Sequence, residues 1–314
     1  MTNGEIELID YGTREAWMAG RRLGIGASES AALFGVSPWD TPVSLWAKKR
    51  GIAPDDSELR EHVEWGNLLE GPIATRYEQK TGRTIWQGGP FQVAQHPRIA
   101  CMRATPDRWV VEAPDHEDTG LLQAKNTNAF TGHNWKDGPP DFIKIQVQHE
   151  MAVTGVSWES VAVLIGGSKF MYFDIERNEA FIEELEQQCQ LFWGYVTRGE
   201  QPPLDDRKPT FDAIKRLHPK DNGQEIPLPD EAEAWWAEMQ QAKLEERAAK
   251  KRAASFEVQL RNVIGDASYG RLPNGRRLTL LTTERKGYSK TVTVRPSSSR
   301  TLRIEKDFMP WKNK

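Results

Sequence analysis

Apolar residues recur every three or four positions through much of the chain and alternate with polar ones in shorter runs, so both helices and strands are predicted. Arg14 to Arg22, with Ala16, Trp17 and Ala19, predicts a helix. Gly24 and Gly26 supply a tight turn before a second helix over 28–35, where Ser28 stands as a favoured cap with a hydroxyl and free N–H groups suited to a phosphate. Pro42 opens a third helix through Leu45, Trp46 and Lys49, ended by Gly51. Trp65, Leu69, Ile73 and Tyr77 fall four apart over 59–80, and Gly71-Pro72 is expected to kink or split that helix at Glu70. An acid beside such a break, among apolar neighbours, is a candidate site residue. Gly88 to Ala100 predicts a strand and loop, and Phe142 to Thr154 an amphipathic helix. Ser157 to Ile165 and Lys169 to Ile175 predict two strands joined by Gly166-Gly167, and Glu176 to Arg198 a helix. This order predicts an α/β fold with a central mixed β-sheet flanked by helices.

Past residue 208 the pattern changes. A polar, Pro-containing run over 209–227 predicts a linker that ends a core at 1–208. Over 228–265 a long helix is predicted, in which Leu228, Ala232, Trp235, Met239, Ala242 and Ala249 start a heptad-like seam that Glu246 alone interrupts and Val263 ends. Residues 266–314 predict a small basic β extension, with two or three short strands up to Ile304 around Pro273-Asn-Gly275.

Composition narrows the setting. The 314 residues include only two cysteines, Cys101 and Cys189, too few for a disulfide framework, a four-cysteine zinc site or an iron–sulfur cluster. With no long apolar run and no signal-peptide pattern at the first residues, a cytoplasmic protein without a membrane partner is expected. The net charge of −3 is uneven. Residues 243–314 hold 18 Lys and Arg against 7 Asp and Glu, while residues 1–242 are net acidic. A basic tail on an acidic body implies a polyanionic partner.

The chemistry gathers at one predicted hairpin. Arg103 to Val111 reads as a strand carrying Asp107 near its start, and Gly120 to Lys125 as a second strand. The turn formers of 112–119 join them. Gln123 and Lys125, two apart, share a strand face, which the hairpin brings beside Asp107. An acid, an amide oxygen and an ammonium then converge.

This arrangement resembles the Asp…(Glu/Asp)-x-Lys core of the restriction-endonuclease-like nucleases, with Gln123 where the second acid is usual. Further pieces occur in order: Arg22-Leu-Gly-x-Gly-Ala-Ser28-Glu29, Gly66-Asn-x-x-Glu70, Thr105-Pro-Asp107, Gln123-Ala-Lys125 and Gln146-Val-Gln148-x-x-Met151 through Gly155. Together they resemble the YqaJ-type viral recombinase family of lambda-exonuclease-like enzymes over about residues 11–200. The resemblance implies a restriction-endonuclease-like core and a Mg2+-dependent 5′-to-3′ exonuclease, with Mn2+ as a possible substitute. Such an enzyme digests one strand of double-stranded DNA from its ends and leaves 3′ tails for single-strand annealing. By the same resemblance Asp107, position 123 and the Ala124 carbonyl hold the metal and Lys125 orients the attacking water. Glu70 and Gln146 lie near metal and water, and Arg22 and Ser28, joined by Thr105, hold the 5′-phosphate. A ring-shaped trimer and an annealing-protein partner are also implied. Gln123 brings no charge, so the alternative is a catalytically impaired DNA-binding protein on a nuclease scaffold.

Overall fold

A computed structural model describes residues 6–53, 61–287, 300 and 302. The chain forms two compact units, Met1–Pro219 and Lys220–Lys314.

The first unit opens with β1 (Glu7–Asp10), α1 (Arg14–Gly20), β2 (Ile25–Gly26), α2 (Ala27–Ser30) and α3 (Pro42–Lys49). The long α4 (Glu61–Thr81) leads through β3 (Thr84–Trp86), β4 (Gln92–Gln95) and β5 (Met102–Ala104) to the hairpin of β6 (Arg108–Glu112) and β7 (Gly120–Thr127). Then come α5 (Asp141–Thr154), β8 (Trp158–Ile165), β9 (Lys169–Glu176), α6 (Glu179–Arg198) and α7 (Lys208–Leu217). The mixed α/β architecture is as expected, but there are two sheets rather than one. A four-stranded sheet runs β1-β4-β5-β2 and a five-stranded sheet runs β3-β6-β7-β8-β9. The segment read as one strand from Arg103 to Val111 is therefore two strands in different sheets, and Asp107 stands where the chain crosses between them.

The parallel pair β7–β8 is joined through α5, as parallel neighbours require a crossover. Although predicted to be amphipathic, α5 is buried almost all round. Its Ile145, Ala152 and Val153 belong to the core that includes Ile25, Met102 and Leu185. Its Ile143, Val147 and Met151 pack with Leu121, Val161 and Val163. A helix enclosed on both sides loses its polar face, so any polar side chain on it needs an internal partner. Gly155 closes it in the left-handed conformation, at φ 76°. On the other face of the five-stranded sheet, Ile73, Ala74 and Tyr77 of α4 pack on Leu122 and Ala162. Pro72 sits inside α4, which continues without the expected split.

Residues 208–217, expected to lie in or beside the linker, form α7 and belong to the core. Thr210 and Ala213 are buried, and Thr210 hydrogen-bonds the hydroxyl of Thr41 at 2.7 Å. The second unit contains the predicted long helix as α8 (Glu231–Ile264), then the hairpin of β10 (Tyr269–Arg271) and β11 (Arg277–Thr279). The remaining tail strands expected up to Ile304 lie outside the described residues, apart from 280–287, which have no regular structure. Among the described residues no helix is long and apolar enough to cross a membrane.

Candidate functional site

The predicted hairpin forms with Arg108 opposite Leu122 and Val110 opposite Gly120. Gly120 is required there, because a Cβ would overlap the Trp158 indole. Side chains on β7 alternate, so Leu121, Gln123 and Lys125 face α5 while Leu122 and Ala124 face α4. Asp107, immediately before β6, turns its carboxylate toward β7. Its Oδ2 accepts the backbone N–H of Ala124 at 2.8 Å and the side-chain amide of Gln123.

From Gln123 a directed chain of hydrogen bonds runs inward. Gln146 Nε2, on α5, donates to Gln123 Oε1 at 2.9 Å and to Glu150 Oε1 at 2.8 Å. Gln146 Oε1 accepts Lys125 Nζ at 3.1 Å. Gln123 is 4% exposed and Gln146 7%, so each of these bonds is made away from water, where leaving it unmade costs about 1–3 kcal/mol. The site thus joins Asp107, Gln123, Lys125 and Gln146, four residues spread over forty positions of sequence.

Charge at the site is dominated by carboxylates. Burial, with Glu70 and Glu150 nearby, pushes the Asp107 carboxyl up to about 7, and Lys125 opposes that rise. Glu70 reaches in from α4 and is ion-paired with Arg108 Nη1, which also donates to the backbone carbonyl of Asp107. Arg108, not singled out from the sequence, ties the helix to the loop that carries the acid. Two further acids were missed. Glu150 is 1% exposed and Glu159, on β8, is fully buried. As carboxylates, Glu150 Oε2 and both Glu159 oxygens have no donor to accept from. Burial pushes both carboxyls up, Glu159 most, so a proton shared between them is the favoured state. The signal was an acid inside the apolar run Trp158-Glu-Ser-Val-Ala-Val163.

A hard cation needs oxygen donors. The Asp107 carboxylate and the Ala124 carbonyl fit such an ion. Gln123 does not fit in its present orientation, since it turns N–H toward Asp107. Turning the amide over would set its nitrogen against Gln146 Nε2, another donor. The Gln123 N–H therefore engages the Asp107 oxygen that a cation would need. A separate trio, Asp115, His116 and Asp174, also brings three possible ligands together. There the fully buried Arg83 donates to both acids, with Asp174 Oδ2 at 2.8 Å, so one of their two charges is already matched.

Of the residues expected at a 5′-phosphate, Ser28 and Thr105 follow two paired strands. β2 and β5 pair in parallel, Ile25 beside Met102 and Gly26 beside Arg103. Ser28 lies in α2, which follows β2 directly, and Thr105 follows β5 directly, two residues from Asp107, and both are exposed. Ser28 is not the cap: Gly26 is, and Glu29 Oε2 accepts its N–H at 2.7 Å. Arg22 is exposed and lines a cavity of about 410 Å³ with Arg21, Lys48 and Lys49, opposite Glu15 and Glu29. Lys49 Nζ is tethered there to Glu29 Oε2 at 2.6 Å.

Known proteins resemble the chain over much of its length. The uncharacterized protein YqaJ of Bacillus subtilis (strain 168) is 28% identical over 282 residues, 87% of this chain and 86% of its own length. The crystal structure of an alkaline exonuclease (LHK-Exo) from Laribacter hongkongensis is similar, with a TM-score of 0.48 and 24% identity, over 59% of this chain and 93% of its own. The crystal structure of LHK-Exo in complex with dAMP gives the same score and identity over 64% of this chain and 96% of its own. Residues 16–157, which include Glu70, Asp107, Gln123, Lys125 and Gln146, match the model of the YqaJ-like viral recombinase domain.

Proposed function

We propose that this protein is a metal-dependent deoxyribonuclease that digests one strand of double-stranded DNA from 5′ ends, leaving 3′ tails for recombination by single-strand annealing. The observation that carries this reading is the meeting of the Asp107 carboxylate, the Gln123 amide and the Lys125 ammonium on one hairpin, backed by Gln146. The YqaJ-like domain supports it. Asp107 and the Ala124 carbonyl would hold Mg2+, or Mn2+ in its place. Such an ion would supply a water of lowered pKa and offset charge on the phosphate. Lys125, oriented by Gln146 Oε1, positions that water, and Glu70 is steadied for the same centre by Arg108. Arg22, Ser28 and Thr105 grip the terminal phosphate, for which a guanidinium fork and hydroxyls are suited. A ring-shaped homotrimer and an annealing-protein partner complete the proposal.

The Gln123–Asp107 hydrogen bond favours a second reading, a DNA-end-binding protein whose cleavage is suppressed. One assay separates the two. Linear duplex with 5′-phosphate ends is incubated with the protein and Mg2+ or Mn2+, beside Gln123→Glu. Shortening from the 5′ ends by the parent chain supports the nuclease. Binding without shortening by the parent, with cleavage restored in Gln123→Glu, supports the suppressed form. No cleavage by either version overturns the nuclease reading.

A further inference from the structure

The geometry points to a second copy of this chain as the occupant of the apolar seam of α8, paired antiparallel to it. The 34 residues of α8 extend about 51 Å, and among the described residues of the helix none is buried. Along one stripe Trp235 is 64% exposed, Phe256 62% and Val263 82%. A solvated single helix has no need of a seam repeating in steps of three and four, whereas two such helices bury it against each other.

Charge decides the orientation. Glu231 to Glu246 holds five acids and one base, and Arg247 to Ile264 holds five bases and one acid. A parallel pair would lay acidic half on acidic half and basic on basic. An antiparallel pair lays each acidic half on the basic half of the other copy. Exposed pairs add little each, but complementary halves select the direction.

Size decides the register. In the antiparallel pair centred between Arg247 and Ala248, Trp235 meets Leu260, Met239 meets Phe256, and Ala242 meets Ala253 of the second copy. Large side chains fill the two ends, and alanines let the middle approach closely. Glu246, the interruption in the seam, falls at the centre beside Ala249 of the second copy. It is hydrogen-bonded to its own Lys250 and stays matched there. Glu245 comes level with Lys250 of the second copy. This pairing does not rest on the nuclease reading, and with a three-subunit ring it joins copies of two different rings.

The test uses the full chain, in two versions carrying different affinity tags, one Ala242→Cys and the other Ala253→Cys. The native Cys101 and Cys189 are buried, and burial pushes the Cys101 thiol up to about 11, so they contribute little background. The versions are mixed and oxidised, or treated with a short bis-maleimide. The expected product is the mixed 242–253 crosslink, at least tenfold over either like-with-like product. Adding Phe256→Glu to both is expected to lower it by a similar factor, with helix content by circular dichroism unchanged. Predominant 242–242 and 253–253 products mean a parallel pair and overturn the proposal. So does the absence of any crosslink while the introduced thiols remain titratable and α8 remains helical.

Discussion

Exchanging Gln123 for Glu reverses the sign of one contact and leaves its shape nearly unchanged. In the parent chain the amide N–H satisfies Asp107 Oδ2. In Gln123→Glu that donor becomes a second carboxylate facing the first. A hydrogen bond to a charged group is lost, at about 1.5–3 kcal/mol. Two like charges at about 4 Å repel by about 4 kcal/mol at an effective dielectric constant near 20. Part of this is avoided while Asp107 keeps a proton, and burial already pushes that carboxyl up to about 7. A raised folded-state pKa means the folded protein holds a proton that the unfolded chain has released. Stability therefore falls as pH rises through about 7, and the penalty appears above it. Without metal at about pH 8.5, Gln123→Glu should melt below the parent by roughly 10 °C, with about 4 kcal/mol of that total left once part is avoided by protonation. Adding Mg2+ should reverse the order, because the cation then lies between two carboxylates. Its half-saturating concentration should drop at least tenfold, equivalent to about 1.4 kcal/mol. Thermal melts in chelator and across a Mg2+ titration, run beside the duplex-digestion assay, measure both effects. Equal melting temperatures in chelator together with equal Mg2+ midpoints would refute the reasoning.

The remaining site residues and the basic tail can be tested one at a time. Asp107→Ala should abolish metal-dependent cleavage without unfolding the chain, and Lys125→Ala should lower turnover at least a hundredfold, the usual scale for a positioned proton-handling group; near-normal turnover of Lys125→Ala in a gel time course removes its assigned role. Arg22→Ala should erode a preference for 5′-phosphate over 5′-hydroxyl ends, and equal slowing on both substrates would make Arg22 a general backbone contact. Glu159→Gln should stabilise the protein increasingly as pH rises above the ordinary carboxylate range, since a buried carboxyl with a raised pKa costs stability as pH climbs and an amide does not; parallel melting curves for the two proteins across that rise count against it. A chain ending at Pro219 should fold and keep its site yet bind duplex with a shallower salt slope, because residues 243–314 hold 18 Lys and Arg against 7 Asp and Glu; an unchanged slope places the electrostatic contacts in the first unit.

Local pattern carried far in this chain. Apolar periodicity located α1, α3, α4, α6 and α8 to within a few residues, and two glycines marked the β8–β9 turn, because those signals act between neighbours in sequence. The hairpin that sets Asp107 beside Gln123 was legible for the same reason: turn formers separate two short apolar runs. The end of the core was not. Lys208 to Leu217 looks polar and broken by Pro209, yet Thr210 and Ala213 are buried and Thr210 meets Thr41. That contact spans most of the first unit's sequence and leaves no local mark.

Other features were decided only by packing in three dimensions. Whether α5 has one buried face or two depends on the second sheet, and a strand's sheet membership is not written in its own residues. Pro72 continues inside α4 rather than splitting it, since packing of Ile73, Ala74 and Tyr77 holds the helix through the break. Arg108, Glu150 and Glu159 join the site through partners up to 38 positions away, as between Arg108 and Glu70. The sequence by itself determined which residue types reach the site, Asp107, Gln123 and Lys125 among them. The tertiary structure decided which atom of each faces which. That Gln123 turns its N–H to Asp107 comes from Gln146, whose own amide is fixed by Lys125 on one side and Glu150 on the other, and a hydrogen-bond direction set by residues far apart in the chain has no counterpart in a one-dimensional pattern.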